Sequence, residues 1–290
     1  MMGSTATLTL VGGGAALLED CWSFLDHLEQ IWSRFLPESD VTRLNWAEGK
    51  PVDVDDFTVR LIEEMQAGYA RTKGDFDPTL LPDLVRAGYA ASRQDPTKST
   101  ALPATAVAPG RIDNVAHNGH VVTMPKGTTI DAGGIGKGLA ADLVSDFARA
   151  NGAWGIMAEI AGDIRVSGEA PDGVAWRLGV ENPFAAAEHA DVVRVPDGGV
   201  VTSSQRKRRF GTSREKHHLI DPHTHDSALT SVQTVTVIAL TAAIAETLTK
   251  PAFVRSTADY LSWLPTQGAA GLVIDDEGNH HESANWSVYR

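Results

Sequence analysis

The sequence contains one cysteine, Cys21, in 290 residues. That excludes an intrachain disulfide and fits a reducing compartment such as the cytoplasm. No apolar run approaches the roughly 20 residues that span a bilayer. The N-terminus lacks the basic start and apolar stretch of a secretory signal, and the acids Glu19 and Asp20 directly before Cys21 are unlike a lipoprotein cleavage site. The expectation is a cytoplasmic protein with no membrane segment. Basic charge is also scarce: the formal net charge is −12. A nucleic-acid binder carries a basic face. The one dense basic run here is Arg206-Lys207-Arg208-Arg209, followed by Arg214 and Lys216. It reads either as a solvated loop or as a positive rim over an anionic ligand, and nucleic acid is not an expected partner. No repeat, coiled-coil heptad or interdomain linker divides the chain.

Apolar residues make up 42% and charged residues 21%, with seven tryptophans, so a globular chain with a sizeable core is expected. Residues 6–11 alternate as a strand. Leu18, Cys21, Leu25, Leu28, Trp32 and Phe35 recur at three- and four-residue steps, a helical face that stops at Pro37. A second helix fits 55–71, capped by Asp55 or Asp56, and a third fits 137–150. Residues 91–110, rich in Ala, Ser, Thr and Pro, read as a surface loop. Strands are expected at 154–160, 163–167, 175–181, 191–195, 199–203, 217–221 and 231–239. Helices follow at 241–254 and 257–264, then a strand and turn from Gly271, and a closing strand at 286–289. Helices first, a strand-rich middle, then helix and strand predict an α+β fold in one compact domain with a mainly antiparallel sheet.

Four segments carry chemistry. In Ile130-Asp-Ala-Gly-Gly-Ile-Gly-Lys-Gly-Leu139, a strand ends, glycines cluster and a helix begins. Glycines allow close backbone approach to a ligand, and a helix N-terminus with a lysine favours phosphate. The alternative is a tight turn feeding a helix. The segment is neither a Walker A loop nor a dinucleotide fingerprint, because its spacing fits neither. The second segment, His217-His-Leu-Ile-Asp-Pro-His-Thr-His225, has four histidines in nine residues. Zinc is one reading. A single histidine acting as general base is the other, with Asp221 orienting it or a ligand. The third, Gly74-Asp-Phe-Asp-Pro-Thr79, is either an Asp-Pro turn or a ligand-facing loop that offers Phe76 for stacking. The fourth, Trp32-Ser-Arg-Phe through Arg43-Leu-Asn45, is by itself a helix end followed by a capped turn.

In this order, the segments resemble the ApbE-type FAD:protein FMN transferase family. Its wording runs Ser-Arg-Phe, Arg-Leu-Asn, Phe-Asp-Pro-Thr, Asp-Leu-Gly-Gly-Ile-Ala-Lys-Gly, Gly-Gly-Asp-Ile-Arg, Thr-Ser-Gly and His-Ile-Ile-Asp-Pro. The counterparts are Ser33–Phe35, Arg43–Asn45, Phe76–Thr79, Asp131–Leu139, Ala161–Arg165, Thr202–Ser204 and His218–Thr224. The resemblance runs from about Trp32 to Val254. It implies an α+β structure related to the T-fold, FAD in an extended cleft, and Mg²⁺-assisted transfer of FMN to a Ser or Thr of an acceptor protein with release of AMP. Some members instead hydrolyse FAD or hold it. It implies His218 as the base. Asn45, Phe76, Asp77, Pro78, Thr79, Asp131, Gly133, Gly134, Lys137, Gly162, Asp163, Thr202, Ser203 and Asp221 are the implied ligand-binding positions.

The implied metal ligands depart from the family pattern. Its Ala-Asp-Ala-Leu-Ala/Ser-Thr supplies an Asp and a Thr, joined by a backbone carbonyl that matches Gly134. This chain reads Ala245-Glu-Thr-Leu-Thr-Lys-Pro251, so Glu246 replaces Asp and Lys250 replaces Thr. A protonated lysine offers only donors and cannot ligate a cation. Glu246 and Lys250 read either as an i,i+4 ion pair or as a site where the Lys250 ammonium stands in the metal's place.

Overall fold

The computed structural model describes residues 5–92, 95–185, 187–206, 209–210 and 216–290. Lys207, Arg208 and Arg214 of the basic run therefore lie outside the described residues. The centre is a seven-stranded sheet in the order 6–12, 153–160, 163–168, 198–204, 232–239, 270–275 and 280–282, every neighbouring pair antiparallel. Strand alternation sends successive side chains to opposite faces. Ile156, Ala158, Val201, Val235 and Val237 enter the core on the helical side. Val166, Val200, Ile238, Leu272 and Ile274 enter a second core on the other. That second face is covered by the hairpin Trp176–Glu181/His189–Val195 and by Trp286.

The helical layer comprises α1 (Gly14–Trp32), α2 (Asp40–Asn45), α3 (Asp56–Thr72), α4 (Leu81–Arg86), α5 (Gly136–Ala150), α6 (Ala242–Leu248) and α7 (Thr257–Trp263). On α1 the buried residues are Leu17, Cys21, Leu25, Leu28 and Trp32. Each fully buried leucine contributes about 1.5–3 kcal/mol of burial free energy. Leu17 rather than Leu18 begins the stripe, and the helix ends at Trp32, so Phe35 lies beyond it. On α3 the Asp55 side chain accepts from Phe57 N–H at 2.8 Å, an N-cap. Asp142 of α5 caps α6: its two carboxylate oxygens accept from Ala242 and Ala243 N–H at 2.8 Å each. Burial pushes Asp142 up to about 7, against those two N–H groups and Arg165, which favour its charged form.

Three expected elements differ. The helix expected over 241–254 stops at Leu248 and resumes as a 3-10 turn over Lys250–Phe253, because Pro251 has no N–H to continue it. The strand expected over 217–221 divides into Lys216–His217 and Ile220–Asp221, with a bend at His218. Trp286–Tyr289 forms a 3-10 turn instead of a strand. Its Trp286 is buried and donates Nε1–H to Asp191 at 2.8 Å. A large ring that must bury its face and satisfy its N–H outweighs local strand preference there.

Candidate active site

A cleft of about 440 Å³ opens where α1, α4, the glycine turn before α5 and the 216–221 segment meet the sheet. Its lining includes Phe76, Asp77, Pro78, Asp131, Gly133, Gly134, Lys137, Asp163, Thr202, Ser203 and His218. Lys250, Arg34 and Tyr89 line it as well.

The glycine turn, a 3-10 turn over Ala132–Gly134, is held from below. Phe76 is buried, and a Cβ on Gly134 would come within 3.0 Å of its ring. The ring is therefore a wedge under the turn that also borders the cleft. Asp131 is fixed on both sides. Its N–H donates to Pro78 O at 3.0 Å, and its carboxylate pairs with Arg34 Nε at 3.1 Å. Arg34 in turn lies over the rings of Phe35 and Tyr89, at 4.2 and 4.8 Å from their centroids. It also donates to Tyr89 O and to Thr100 Oγ1, tying these two residues to the cleft. Asp77 accepts from Thr79 N–H at 2.8 Å, and burial raises its carboxyl against the Thr79 hydrogen bonds.

Behind the turn lies a buried charge cluster. Lys137 Nζ donates to Asp163 and to Glu246 Oε1. Glu246 Oε2 accepts from Gly138 N–H at 2.8 Å. Lys250 Nζ donates to Glu246 O at 2.9 Å and to Thr249 Oγ1 at 3.1 Å. Two carboxylates and two ammonium groups thus balance within one region. Burial would raise Glu246, but Lys137, Lys250 and the Gly138 N–H outweigh it and hold its carboxyl below the usual range. For Asp163, burial and the Glu246 charge win over Lys137, and its carboxyl is pushed up to about 6. Gly138 is required for packing: a Cβ there would lie 2.4 Å from Ala242 O, where α5 crosses α6.

The four histidines separate. His217 is buried. Its Nε2–H donates to Ala228 O at 3.1 Å while Nδ1 accepts from Leu219 N–H at 3.3 Å, which fixes a neutral tautomer, and burial lowers its pKa. His223 reaches Asp75 at 3.4 Å, and His225 reaches Asp83 at 2.8 Å. Only His218 of the four lines the cleft. Among the described residues no group of three or more His, Cys, Asp or Glu gathers as a metal centre, so the zinc reading has no support.

Five of the sequence-derived positions do not line the cleft. Asn45 is buried, with Nδ2 donating to Ile130 O at 2.9 Å and Oδ1 accepting from Ile130 N–H at 2.7 Å. Its amide is spent bracing the strand end before Asp131. Thr79 is buried and accepts from Gly110 N–H at 2.8 Å. Gly162 occupies a two-residue hairpin turn with Ala161, both at positive φ. Asp221 accepts from His223 N–H at 2.8 Å and shapes the following turn. Glu246 sits behind Lys137. These five position the site without facing it. Sequence reasoning missed Arg34 and Tyr89; the Ser-Arg-Phe motif held the signal for Arg34, whereas Tyr89 belongs to none of the recognised motifs.

The chain belongs to the ApbE family, whose sequence pattern matches residues 2–273. A FAD:protein FMN transferase of Vibrio cholerae serotype O1 is 26% identical over 221 residues, covering 74% of this chain and 66% of that protein, just under two thirds of its length. One from Treponema pallidum is 27% identical over 267 residues, covering 82% of this chain and 71% of that protein. In fold, the chain superposes on the ApbE protein of Thermotoga maritima with a TM-score of 0.85 at 24% identity, covering 99% of this chain and 96% of that one. The Pseudomonas stutzeri flavinyl transferase ApbE gives a TM-score of 0.81 at 24% identity, covering 100% and 94%.

The magnesium site implied by the resemblance does not fit the residues present. Both Glu246 carboxylate oxygens are engaged, one by an ammonium and one by a backbone N–H. Lys250 contributes a cation where an oxygen ligand is needed. Mg²⁺ requires near-octahedral oxygen ligation, and this donor set does not supply it.

Proposed function

We propose that this chain transfers FMN from FAD to a Ser or Thr hydroxyl of an acceptor protein, releasing AMP. One observation carries the reading: a single cleft, in a chain of the ApbE family, brings together the Ala132–Gly134 turn, Lys250 and His218. The named activity of the relatives supports it. Phosphoryl transfer needs positive charge and N–H donors on the phosphate oxygens and a nucleophile relieved of its proton. The glycine backbone and Lys250 meet the first need, and His218 meets the second. The acceptor oxygen bonds to the phosphorus of the FMN half, the anhydride bond to AMP breaks, and the hydroxyl proton goes to His218. Asp131, Asp77, Thr202 and Ser203 orient FAD along the cleft. We place the protein in the cytoplasm, which the single buried Cys21 favours.

The test is to incubate the full chain with FAD, with and without an acceptor protein, and quantify AMP. Transfer predicts AMP only when acceptor is present. AMP without acceptor means hydrolysis to FMN and AMP, and retained FAD with no AMP means a flavin carrier; either result refutes transfer.

A further inference from the structure

The buried cluster behind the glycine turn has the form of a metal cage filled by lysine. Asp163 comes from the hairpin between strands 153–160 and 163–168, and Glu246 from α6. The two carboxylates converge on one cation, the Lys137 ammonium. Lys137 lies on the first turn of α5, directly after the glycine turn. Phosphate contact was one of two sequence readings for its segment; in the structure its ammonium pairs with the two acids at the edge of the cleft. A divalent ion would have to displace an ammonium from Glu246 and add two positive charges beside a second lysine.

That second lysine borders the cleft. Lys250 lines the cleft beside Gly134 and Ser203. Its Cε lies 3.5 Å from where a Cβ on Gly134 would stand, so its stem runs across the glycine turn. Ser203 Oγ and Thr249 Oγ1 hydrogen-bond at 2.7 Å and Lys250 Nζ meets the same Thr249 hydroxyl, which places the ammonium at the junction of strand 198–204 and α6. Lys250 opens the 3-10 turn Lys250–Phe253 just past the end of α6, with Pro251 next in the chain.

We propose that this chain binds the FAD diphosphate without a divalent metal, with Lys250 as the phosphate-neutralising cation and the Asp163–Lys137–Glu246 cage as its buried support. The proposal rests on FAD being the ligand. Glu246 acts as a positioning residue: its carboxylate takes Lys137 and the Gly138 N–H, and its carbonyl takes Lys250. An ammonium polarises a phosphate less than a divalent ion does, but it needs no ion from solution.

The experiment is a fluorescence-quenching titration of FAD into the full chain, once in excess EDTA and once in millimolar MgCl2, for the native protein, Lys250→Arg and Lys250→Met. The native protein should give the same Kd in both buffers. Lys250→Met should weaken binding on the order of ten- to a hundredfold in both, the loss of one charge-assisted hydrogen bond, while Lys250→Arg stays near native. Thermal melting establishes that Lys250→Met is folded. Chelator that weakens native binding tenfold or more overturns metal independence and leaves the FMN-transfer reading standing. Unchanged affinity in folded Lys250→Met overturns the role of Lys250. No FAD binding by the native protein in either buffer overturns the FMN-transfer reading itself, and this proposal with it.

Discussion

Lys137 and Glu246 stand 109 residues apart in sequence and form an ion pair beneath the glycine turn. The pair ties α5 to α6 next to Gly138, where a Cβ would lie 2.4 Å from Ala242 O. Removing one partner of a buried pair leaves the other charge without compensation, and here two acids share one lysine. Lys137→Met should lower unfolding free energy by about 3–5 kcal/mol. Urea denaturation at neutral pH measures it; a loss below about 1 kcal/mol, the level of a surface pair, would show that the cluster is not a buried ionic unit.

Asp163 gives that cluster a pH signature. Its carboxyl is raised from 3.8 to about 6, so the folded state binds the proton more tightly than the unfolded state does. Its contribution to stability therefore grows as pH falls from about 6 toward 4, and above 6 it is a constant penalty. Native stability minus that of Asp163→Asn should rise on acidification across that window. A difference that stays flat between pH 4 and 7 would contradict the assignment.

Asp142 satisfies the first two N–H groups of α6 and meets Arg165 at 3.3 Å. Asp142→Ala strands those buried donors, so a loss of roughly 2–5 kcal/mol is expected. Hydrogen exchange at Ala242 and Ala243 should quicken in the variant, and unchanged protection would refute the cap.

Ala161 turns the hairpin before Asp163 at φ 58. A side chain in the left-handed region costs about 1–2 kcal/mol. Ala161→Gly should raise stability by about 1 kcal/mol, read by urea denaturation. A destabilised variant would mean the methyl makes packing contacts that outweigh the strain.

His217 and His218 adjoin in sequence but have different tasks. His218→Ala should keep FAD affinity and fold while AMP release drops on the order of a hundredfold or more. His217→Ala should instead lower the melting temperature, because its ring bridges Ala228 and Leu219. Equal losses of turnover in both variants, at equal stability, would remove the case for His218 as the base.

Periodicity made most of the fold legible. Residue spacing gave Cys21, Leu25, Leu28 and Trp32 of the α1 stripe, a cap at Asp55 or Asp56, and the alternating central strands. The glycine turn and the cleft-facing Phe76–Pro78 were legible through ordered motifs. The partners of charged groups were not. Spacing set Glu246 beside Lys250, yet its carboxylate turns to Lys137, because the lowest-energy contact for a buried acid is set by which helices cross. Asn45 was expected at the ligand for a similar reason: motif order locates it near the site without showing that Ile130 consumes its amide.

FMN transfer is tested most directly on the acceptor. The full chain, FAD and a flavin-acceptor protein offering a Ser or Thr hydroxyl should yield acceptor heavier by one FMN unit in intact-mass analysis, with one AMP released per acceptor modified. Acceptor of unchanged mass, whether FAD is retained or broken down, would contradict the account.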